Sequence, residues 1–371
     1  MKVKTLIYFL VINLSILLLG IIGLELIFGN WLFENRVNRL NIIKSCKRVY
    51  DVTNVYDRKD KMITYTRDDY GLRGVFNFPR EIDILTVGGS TTDQRFIPDG
   101  ETWQDFIMQA FQKDGKQIVV ANAGVDGQST KGYLKNFEWW FPHIKSLHPK
   151  YIIFYLGAND ILAWDNSLTS SYDDLKLMEP QKYDNLPFSY KVYKIIRDKS
   201  AIMHLKRIIF GTYKAVFVQK VSHRRLDFDK QKWTTKALQN DHQELMAPHL
   251  LVYKKRLEKL IQHSQKMGAK PVFVTTPIRQ YRFSGDSLYG VTNSAYYRGE
   301  TVNGVDLYYM MMEMNKTTLQ TCAKNDCVPI DVCNLYENKR ENDDFYDLWH
   351  MTPKGAKKVG QLVFEGLQEQ F

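Results

Sequence analysis

Short apolar segments that are typical of buried strands alternate with helical segments over most of the chain. Five strand segments, each taken with the loop that follows it, occupy 82–94, 117–127, 150–160, 270–277 and 328–332. Segments with helical spacing of apolar residues lie at 101–113, 132–145, 250–267, 305–324 and 353–370. Strands that alternate with helices favour a parallel sheet with helices on both faces. We therefore predict an α/β fold with a doubly wound, five-stranded parallel sheet flanked by helices.

Length and composition limit the class of protein. A chain of 371 residues accommodates one large domain with insertions, or two domains. Hydrophobic residues make up 44% of the chain and aromatic residues 13%, which excludes a globally disordered protein. The net charge of +10 fits attraction to an acidic surface, but it is not evidence for nucleic-acid binding. We expect no nucleic-acid partner, and the oligomeric state stays open.

The amino end of the chain has the length and composition of a membrane span. Residues 5–24 contain no charged side chain, and a helix of this length covers roughly 30 Å, the thickness of a bilayer core. We predict an uncleaved transmembrane anchor over 1–33, and Lys2 and Lys4 favour a cytoplasmic amino end. The basic residues that follow the span weaken this argument for the orientation: Arg36, Arg39, Lys44, Lys47 and Arg48. A cleaved signal peptide is the alternative, but its apolar core is usually shorter and a small-x-small cleavage site should follow it.

Two further segments flank or interrupt the predicted sheet. Residues 34–80 are polar and mixed, and we expect them to be a lead-in to the domain at 81–371 without chemistry of their own. An insertion at about 161–248 separates the third and fourth strands, and its part at 190–225 is strongly basic with interleaved apolar residues. Such a pattern fits amphipathic helices on an anionic membrane or an acidic polymer. A helical cap packed on the body, with a solvated basic face, is the alternative.

The four cysteines do not form a metal-binding pattern. Cys46, Cys322, Cys327 and Cys333 show no C-x-x-C spacing, so we predict no zinc site. Cys322 and Cys327 are near enough in sequence for a disulfide across a short loop outside the cytoplasm. Buried free thiols are the alternative for this pair.

Chemistry-bearing residues follow the predicted strands, where open α/β sheets place their ligands. Gly88 and Gly89 allow a tight turn after the first strand, and Ser90 lies at this turn. Three further groups stand in loops at or after the ends of later strands: Asn122 with Gly127, then Asn159, then Asp347 with His350.

These groups resemble the motifs of the SGNH (GDSL-like) hydrolase family, in the family's order, over about 82–371. Gly-Gly-Ser-Thr-Thr at 88–92 is similar to the nucleophile block, and Asn122-Ala-Gly-Val-Asp-Gly127 to the second block. Gly157-Ala-Asn-Asp160 and Asp347-x-x-His350 are similar to the last two blocks. The chain departs from the name motif at Gly89, where that motif has aspartate, and its insertion after Asn159 is long for the family. The resemblance implies the flavodoxin-like SGNH fold.

The residue types suit the same roles on chemical grounds. A serine hydroxyl needs a neighbouring base, and among the eight histidines only His350 has an aspartate three residues before it. Ser90, His350 and Asp347 are therefore the candidate nucleophile, base and orienting carboxylate. The Ser90 N–H, the Gly127 N–H and the Asn159 amide are the candidate oxyanion donors, with Gly124 as the alternative to Gly127. Each motif also has a structural interpretation, because Asn159-Asp160 can cap a helix and His350 can be a surface residue.

The resemblance implies a serine esterase that works through an acyl-enzyme, without metal or cofactor. Together with the apolar span at 5–24, it leads us to expect a membrane-anchored enzyme with its catalytic domain on the non-cytoplasmic side. It further implies O-acyl, chiefly O-acetyl, groups of a surface polysaccharide as the substrate. Three alternatives stay open: an O-acyltransferase with the same three residues, a lipase or phospholipase with the insertion as a lid, and a non-catalytic glycan-binding scaffold.

Overall fold

The computed structural model describes residues 3–32, 37, 40, 42–74, 79–162, 187–206, 209, 223–293, 295–297, 299–336 and 343–371. Contacts within the chain define two compact units: Met1–Arg39 with Glu179–Lys220, and Leu40–Met178 with Val221–Phe371. We call the first the anchor unit and the second the body. The parts of the predicted insertion at 163–186 and 210–222 lie outside the described residues.

The helices and strands are numbered here in chain order over the described residues. The helices are α1 Val3–Phe28, α2 Ser90–Asp93, α3 Trp103–Lys113, α4 Thr130–Trp139, α5 Ala158–Leu162, α6 Phe188–Lys199, α7 His242–Lys266, α8 Gly304–Ala323, α9 Val332–Leu335 and α10 Pro353–Leu367. The strands are β1 Cys46–Asp51, β2 Met62–Arg67, β3 Ile84–Gly88, β4 Val120–Gly124, β5 Tyr151–Leu156, β6 Trp233–Thr234, β7 Lys270–Thr275, β8 Tyr281–Ser284, β9 Ser287–Val291, β10 Ala295–Tyr297, β11 Glu300–Val302 and β12 Val328–Ile330.

Five of these strands form one parallel sheet in the order β12-β7-β5-β3-β4. They are the five strands that the apolar segments predict, so the α/β fold with a five-stranded parallel sheet is confirmed. The register places Gly88 opposite Gly124, so β3 and β4 end side by side. β5 pairs with the other edge of β3. The loops after these three strands therefore meet at one edge of the sheet.

The two faces of the sheet carry different helices. On one face Trp103 and Phe111 of α3 and Val363 of α10 share a buried cluster with Ile153 of β5. Because side chains alternate along a strand, Phe154 points to the opposite face. There its ring lies 6.1 Å from that of Phe137 in α4 and 5.6 Å from that of Phe273. The sheet is thus covered on both faces, as a doubly wound fold requires.

Several elements depart from the boundaries that periodicity predicts. α7 begins at His242, well before residue 250, because the Asp241 side chain accepts a hydrogen bond from the Glu244 N–H and caps the helix. α4 ends at Trp139, and a short 3₁₀ turn containing Pro142 follows it. The supposedly featureless segment at 34–80 contains the antiparallel pair β1–β2. β8 and β9 form a second antiparallel hairpin that the strand pattern does not reveal.

Within the anchor unit, α1 includes the segment Ile7–Phe28, which is long and apolar enough to cross a membrane. A signal sequence near the amino end can meet the same criteria of length and apolarity. In the body, Cys322 and Cys327 form a disulfide at the carboxyl end of α8, while Cys46 and Cys333 are free thiols. Of the two alternatives for this cysteine pair, the structure has the disulfide.

Candidate functional site

Ser90 is the first residue of α2, directly after the turn that ends β3. Its backbone N–H is at the start of a helix, where no carbonyl of the same helix accepts it. Gly89 is packed so closely that a Cβ there would overlap the Asn159 Nδ2 atom and approach the Gln128 carbonyl oxygen at 2.9 Å. A side chain at position 89 would therefore require the Asn159 amide to move.

His350 joins Ser90 to Asp347 through two hydrogen bonds. The His350 Nε2 atom lies 2.9 Å from Ser90 Oγ, and its Nδ1 atom lies 2.9 Å from Asp347 Oδ2. The distance in sequence between Ser90 and His350 is bridged by the fold, because the loop at 343–352 leads into α10 beside the end of β3. The structure thus brings together the three residues that the sequence nominates as nucleophile, base and carboxylate.

Asp347 holds its own loop as well as the imidazole. Its Oδ1 atom accepts the backbone N–H groups of Trp349 at 2.8 Å and His350 at 2.7 Å. Burial alone raises the pKa of this carboxyl, but the bonds and charge of His350 and the two backbone N–H groups outweigh it. The pKa of Asp347 therefore lies below its ordinary value, and the carboxylate stays ionised at neutral pH.

The predicted oxyanion donors converge on the same edge of the sheet. The Asn159 Nδ2 atom donates to the Gln128 carbonyl at 2.7 Å, and an amide nitrogen carries a second hydrogen for another acceptor. Gly127 has a left-handed backbone with φ of 78°. The alternative donor, the Gly124 N–H, already donates to Asn122 Oδ1 at 2.8 Å. Gly127 therefore fits the donor role better than Gly124.

Asp160, next to Asn159, has the helix-capping role that was the alternative interpretation of the pair. Its carboxylate accepts the Thr130 hydroxyl at 2.6 Å and the Thr130 N–H at 3.2 Å, so it satisfies the start of α4. Burial raises the pKa of Asp160, which the bonds from Thr130 and the charge of Arg256 only partly offset. Asn159 and Asp160 together tie α5 to the loop that carries Gly127.

His223 is a site residue that the sequence did not reveal. Its ring lies 4.4 Å from that of His350, its Nδ1 atom is 2.9 Å from the Tyr346 hydroxyl, and 3.8 Å separate it from Asp347 Oδ2. Burial and the charge of His350 lower the pKa of His223 to about 4. His223 stands at the end of a basic segment without a motif, so no signal in the sequence indicated it.

Among the residues that the structure describes, the side chains of His223, Asp347 and His350 form a group that could hold a metal ion. Ligand atoms of His223, Asp347 and His350 all lie within 4.8 Å of one another. The His350 and Asp347 atoms are the ones that bond to each other, so a cation there would compete with the proton between them. The absence of a metal in the function stays a prediction.

A second set of residues that the sequence analysis did not identify contacts α2 and the residues next to it. Arg67 and Asp93 form an ion pair of 2.8 Å, with side chains only 3% and 1% exposed. Arg67 also donates to the Gly124 carbonyl, and Arg73 donates to the Gln94 carbonyl at 2.6 Å. Both arginines come from the segment at 34–80, for which we expected no chemistry. Arg67 and Arg73 hold the helix that begins at Ser90 in place. The sequence did not indicate this role, because neither arginine belongs to a recognisable motif.

Tyr346 contacts His350 and also lines a cavity of about 890 Å³, whose described lining does not include Ser90, Asp347 or His350. Its ring stacks on that of His350 with centroids 5.7 Å apart, and it forms part of the cavity wall. Charged and aromatic side chains dominate the rest of the described lining: Tyr56, Asp57, Arg58, Arg225, Asp227, Phe228, Asp229, Arg279, Asp343, Phe345 and Lys354.

Comparison with solved structures returns proteins of one kind at low identity. A GDSL-like lipase from Bacteroides thetaiotaomicron is 11% identical, with 80% of this chain and 93% of that chain covered and a TM-score of 0.40. A lipolytic protein of the G-D-S-L family from Veillonella parvula is 15% identical, with 76% and 97% covered and a TM-score of 0.40. A catalytic mutant of an acetylxylan esterase from Geobacillus stearothermophilus is 11% identical, with 76% and 93% covered and a TM-score of 0.42.

No protein with a curated description matches the chain in sequence. The sequence profile of the GDSL-like lipase/acylhydrolase family matches residues 86–358, which is most of the body and includes every predicted site residue. The resemblance seen in the motifs is confirmed by this match. The chain belongs to the GDSL-like lipase/acylhydrolase family.

Proposed function

We propose that this chain is a membrane-anchored serine esterase that removes O-acyl groups, chiefly O-acetyl groups, from a polysaccharide outside the cytoplasm. The observation that carries the proposal is the continuous chain of hydrogen bonds from Ser90 Oγ through His350 to Asp347, each link 2.9 Å long. Such a chain is what a serine hydroxyl requires to become a nucleophile at neutral pH.

In the proposed reaction, His350 Nε2 takes the proton of Ser90 Oγ as that oxygen attacks the ester carbonyl. Asp347 stabilises the resulting imidazolium. The Ser90 and Gly127 N–H groups and the Asn159 amide donate to the oxyanion of the tetrahedral intermediate. Collapse breaks the ester C–O bond, and His350 returns the proton to the leaving alcohol. Water, activated by His350, then cleaves the acyl-serine and releases the acid.

The substrate class is supported by the cavity that Tyr346, the neighbour of His350, lines. Its described lining mixes charged groups with aromatic rings, which suits a sugar that hydrogen-bonds and stacks. A lipase would instead need an apolar channel for a long acyl chain. This chemistry favours a polar alcohol with a small acyl group.

Location outside the cytoplasm is supported by two independent features. The helix α1 contains an apolar span with Lys2 and Lys4 before it, which favours a cytoplasmic amino end. The Cys322–Cys327 disulfide is the kind of bond that persists in an oxidising compartment.

The test uses the full chain in detergent micelles with p-nitrophenyl acetate as substrate. We expect turnover by the natural chain and a loss of at least about 10⁴-fold in Ser90→Ala and in His350→Ala. Ser287→Ala and His143→Ala change exposed residues of the same types and should keep full activity. Peptide mass mapping should find the trapped acetyl group on Ser90.

Two further measurements, with esters of different acyl-chain length and of the rate at which the acetylated enzyme reacts with water, distinguish the esterase from the alternatives. Faster hydrolysis of p-nitrophenyl palmitate than of the acetate would contradict the glycan proposal and favour a lipase. An acetylated Ser90 that does not turn over in water would indicate transfer to another acceptor. A folded chain that shows neither turnover nor adduct would overturn the esterase proposal.

A further inference from the structure

The carboxylate of Glu25, near the carboxyl end of α1, accepts hydrogen bonds from residues 200–202 of the same unit. Glu25 Oε1 accepts the Ser200 hydroxyl at 2.6 Å and the Ile202 N–H at 3.2 Å, while Oε2 accepts the Ala201 N–H at 2.8 Å. The Trp31 indole N–H donates to the same carboxylate at 2.7 Å. Glu25 thus satisfies the backbone N–H groups at the start of the helical turns at 201–206.

The backbone joins the same two segments. The Asn30 N–H donates to the Lys199 carbonyl at 2.8 Å. A Cβ at Gly29 would approach that carbonyl oxygen at 2.8 Å, so glycine allows the close contact. An ionised carboxylate at the edge of an apolar span is costly unless it is paired. Here the pairing attaches residues 188–206, which we name the interfacial segment, to the carboxyl end of α1.

The interfacial segment exposes an apolar stripe. Phe188, Val192, Ile195 and Ile196 follow helical spacing along α6, and Phe188 is 81% exposed. Ile202 and Leu205 continue as exposed apolar residues beyond Ser200. A contiguous set of exposed apolar side chains is typical of an interaction surface.

The sequence of this segment is basic as well as apolar. Lys191, Lys194, Arg197, Lys199 and Lys206 stand against Asp198 alone. Exposed apolar side chains in a helical segment whose sequence has an excess of basic residues are typical of helices that lie in the surface of an anionic membrane.

We infer that the interfacial segment lies in the headgroup layer of an anionic bilayer, with the stripe of Phe188, Val192, Ile195 and Ile196 toward the acyl chains. The inference rests on the proposed anchoring by α1, because the contacts of Glu25 attach the segment to the carboxyl end of the apolar span. Each basic residue near such a surface adds attraction to the anionic headgroups.

The experiment reconstitutes the full chain into vesicles of phosphatidylcholine, with or without phosphatidylglycerol. In a Cys46→Ser, Cys333→Ala background, an environment-sensitive fluorophore is placed on Leu17→Cys in α1, Ile195→Cys in the stripe, or Leu238→Cys, an exposed position of the body. Brominated lipids then quench the fluorophore according to its contact with acyl chains. We expect several-fold stronger quenching at Ile195 than at Leu238, increased by phosphatidylglycerol.

The three positions separate the outcomes. Quenching at Leu17 with none at Ile195 above the Leu238 level would overturn this inference and leave the anchor intact. No quenching at Leu17 would overturn the anchor and the inference together. Equal quenching at Ile195 in vesicles with and without phosphatidylglycerol would overturn the preference for anionic lipid. Val192→Asp should reduce quenching at Ile195, whereas Asn293→Asp in the body should not.

Discussion

At the scale of single residues, the packing of Gly89 against Asn159 links the turn before Ser90 to a candidate oxyanion donor. Any side chain at position 89 would displace the Asn159 amide, because the Cβ and Nδ2 atoms would overlap. The amide is also held by the Gln128 carbonyl. The geometry of the donor therefore depends on a neighbour that never touches the substrate.

We expect Gly89→Ala and Asn159→Ala each to lower kcat by about 10² to 10³-fold, since either change removes the amide from the oxyanion. The double variant should lose little more than the worse single variant, because both act through one group. Hydrolysis of p-nitrophenyl acetate and thermal melts measure both effects. Full additivity, or a normal kcat in Asn159→Ala, would rule out the donor role, and Asn293→Ala is the control.

His223 gives the site a pH-dependent cost in stability. Its pKa is lowered to about 4 by burial and by the charge of His350, so the unfolded chain binds this proton at higher pH than the folded chain. The free energy of unfolding therefore decreases as the pH falls from about 6.5 to about 4, because the unfolded chain takes up a proton at His223 that the folded chain does not. Above about pH 6.5, His223 makes the free energy of unfolding no more dependent on pH.

We expect His223→Gln to flatten the loss of stability between pH 7 and pH 4 by on the order of 2 to 3 kcal/mol. Urea unfolding at several pH values measures the slope for both proteins. His148→Gln, an exposed position, should leave the slope as it is. Equal slopes in the natural chain and the His223 variant would contradict the lowered pKa.

At the scale of elements, α2 depends on buried charges from the β2 strand and the turn after it. Asp93 is fully buried, and burial alone raises its pKa, but Arg67, Arg95 and Arg73 hold that pKa below its ordinary value. An ionised carboxylate at this depth persists only with such partners. The segment before the sheet is therefore part of the support of the candidate nucleophile.

We expect Arg67→Met to reduce the unfolding free energy by about 3 to 5 kcal/mol, because it removes the nearest cationic partner of the buried Asp93 carboxylate and leaves Arg95 at 3.5 Å. Arg58→Met breaks the more exposed pair with Glu101 and should cost no more than about 1 kcal/mol. Chemical unfolding compares the two. Adding Asp93→Leu to Arg67→Met should recover part of the loss, and an unchanged stability in Arg67→Met would refute the supporting role.

At the scale of the whole molecule, the cysteines report where the body resides. All four are described, two of them joined in the Cys322–Cys327 disulfide and two as free thiols. A cytoplasmic location would keep all four reduced. The Cys322–Cys327 disulfide is therefore expected only if the body lies outside the cytoplasm, as we propose.

We expect thiol titration of the denatured chain, purified from membranes without reductant, to find two thiols before reduction and four after it. The Cys322→Ser, Cys327→Ser variant should show two thiols in both conditions. Four thiols in the unreduced natural chain would contradict a location outside the cytoplasm.

Local patterns in the sequence were sufficient for the five-stranded sheet and its flanking helices, but not for the antiparallel pairs β1–β2 and β8–β9. The apolar period of each strand and helix is encoded by neighbouring residues, so the five strands and the flanking helices were predictable, although Asp241 moved the start of α7. The positions of Ser90, Asn159, Asp347 and His350 were likewise visible, because each stands at the end of an element or in a short motif.

Only the tertiary structure decided which distant residues support these positions. His223, Arg67 and Arg73 carry no motif, and they reach the site through strand order and chain reversal rather than through spacing. The preference for Gly127 over Gly124 came from the sequence, and the structure adds that the Gly124 N–H already donates to Asn122 Oδ1. Burial and pairing are properties of contacts between residues far apart in the chain, and a local sequence pattern does not encode them.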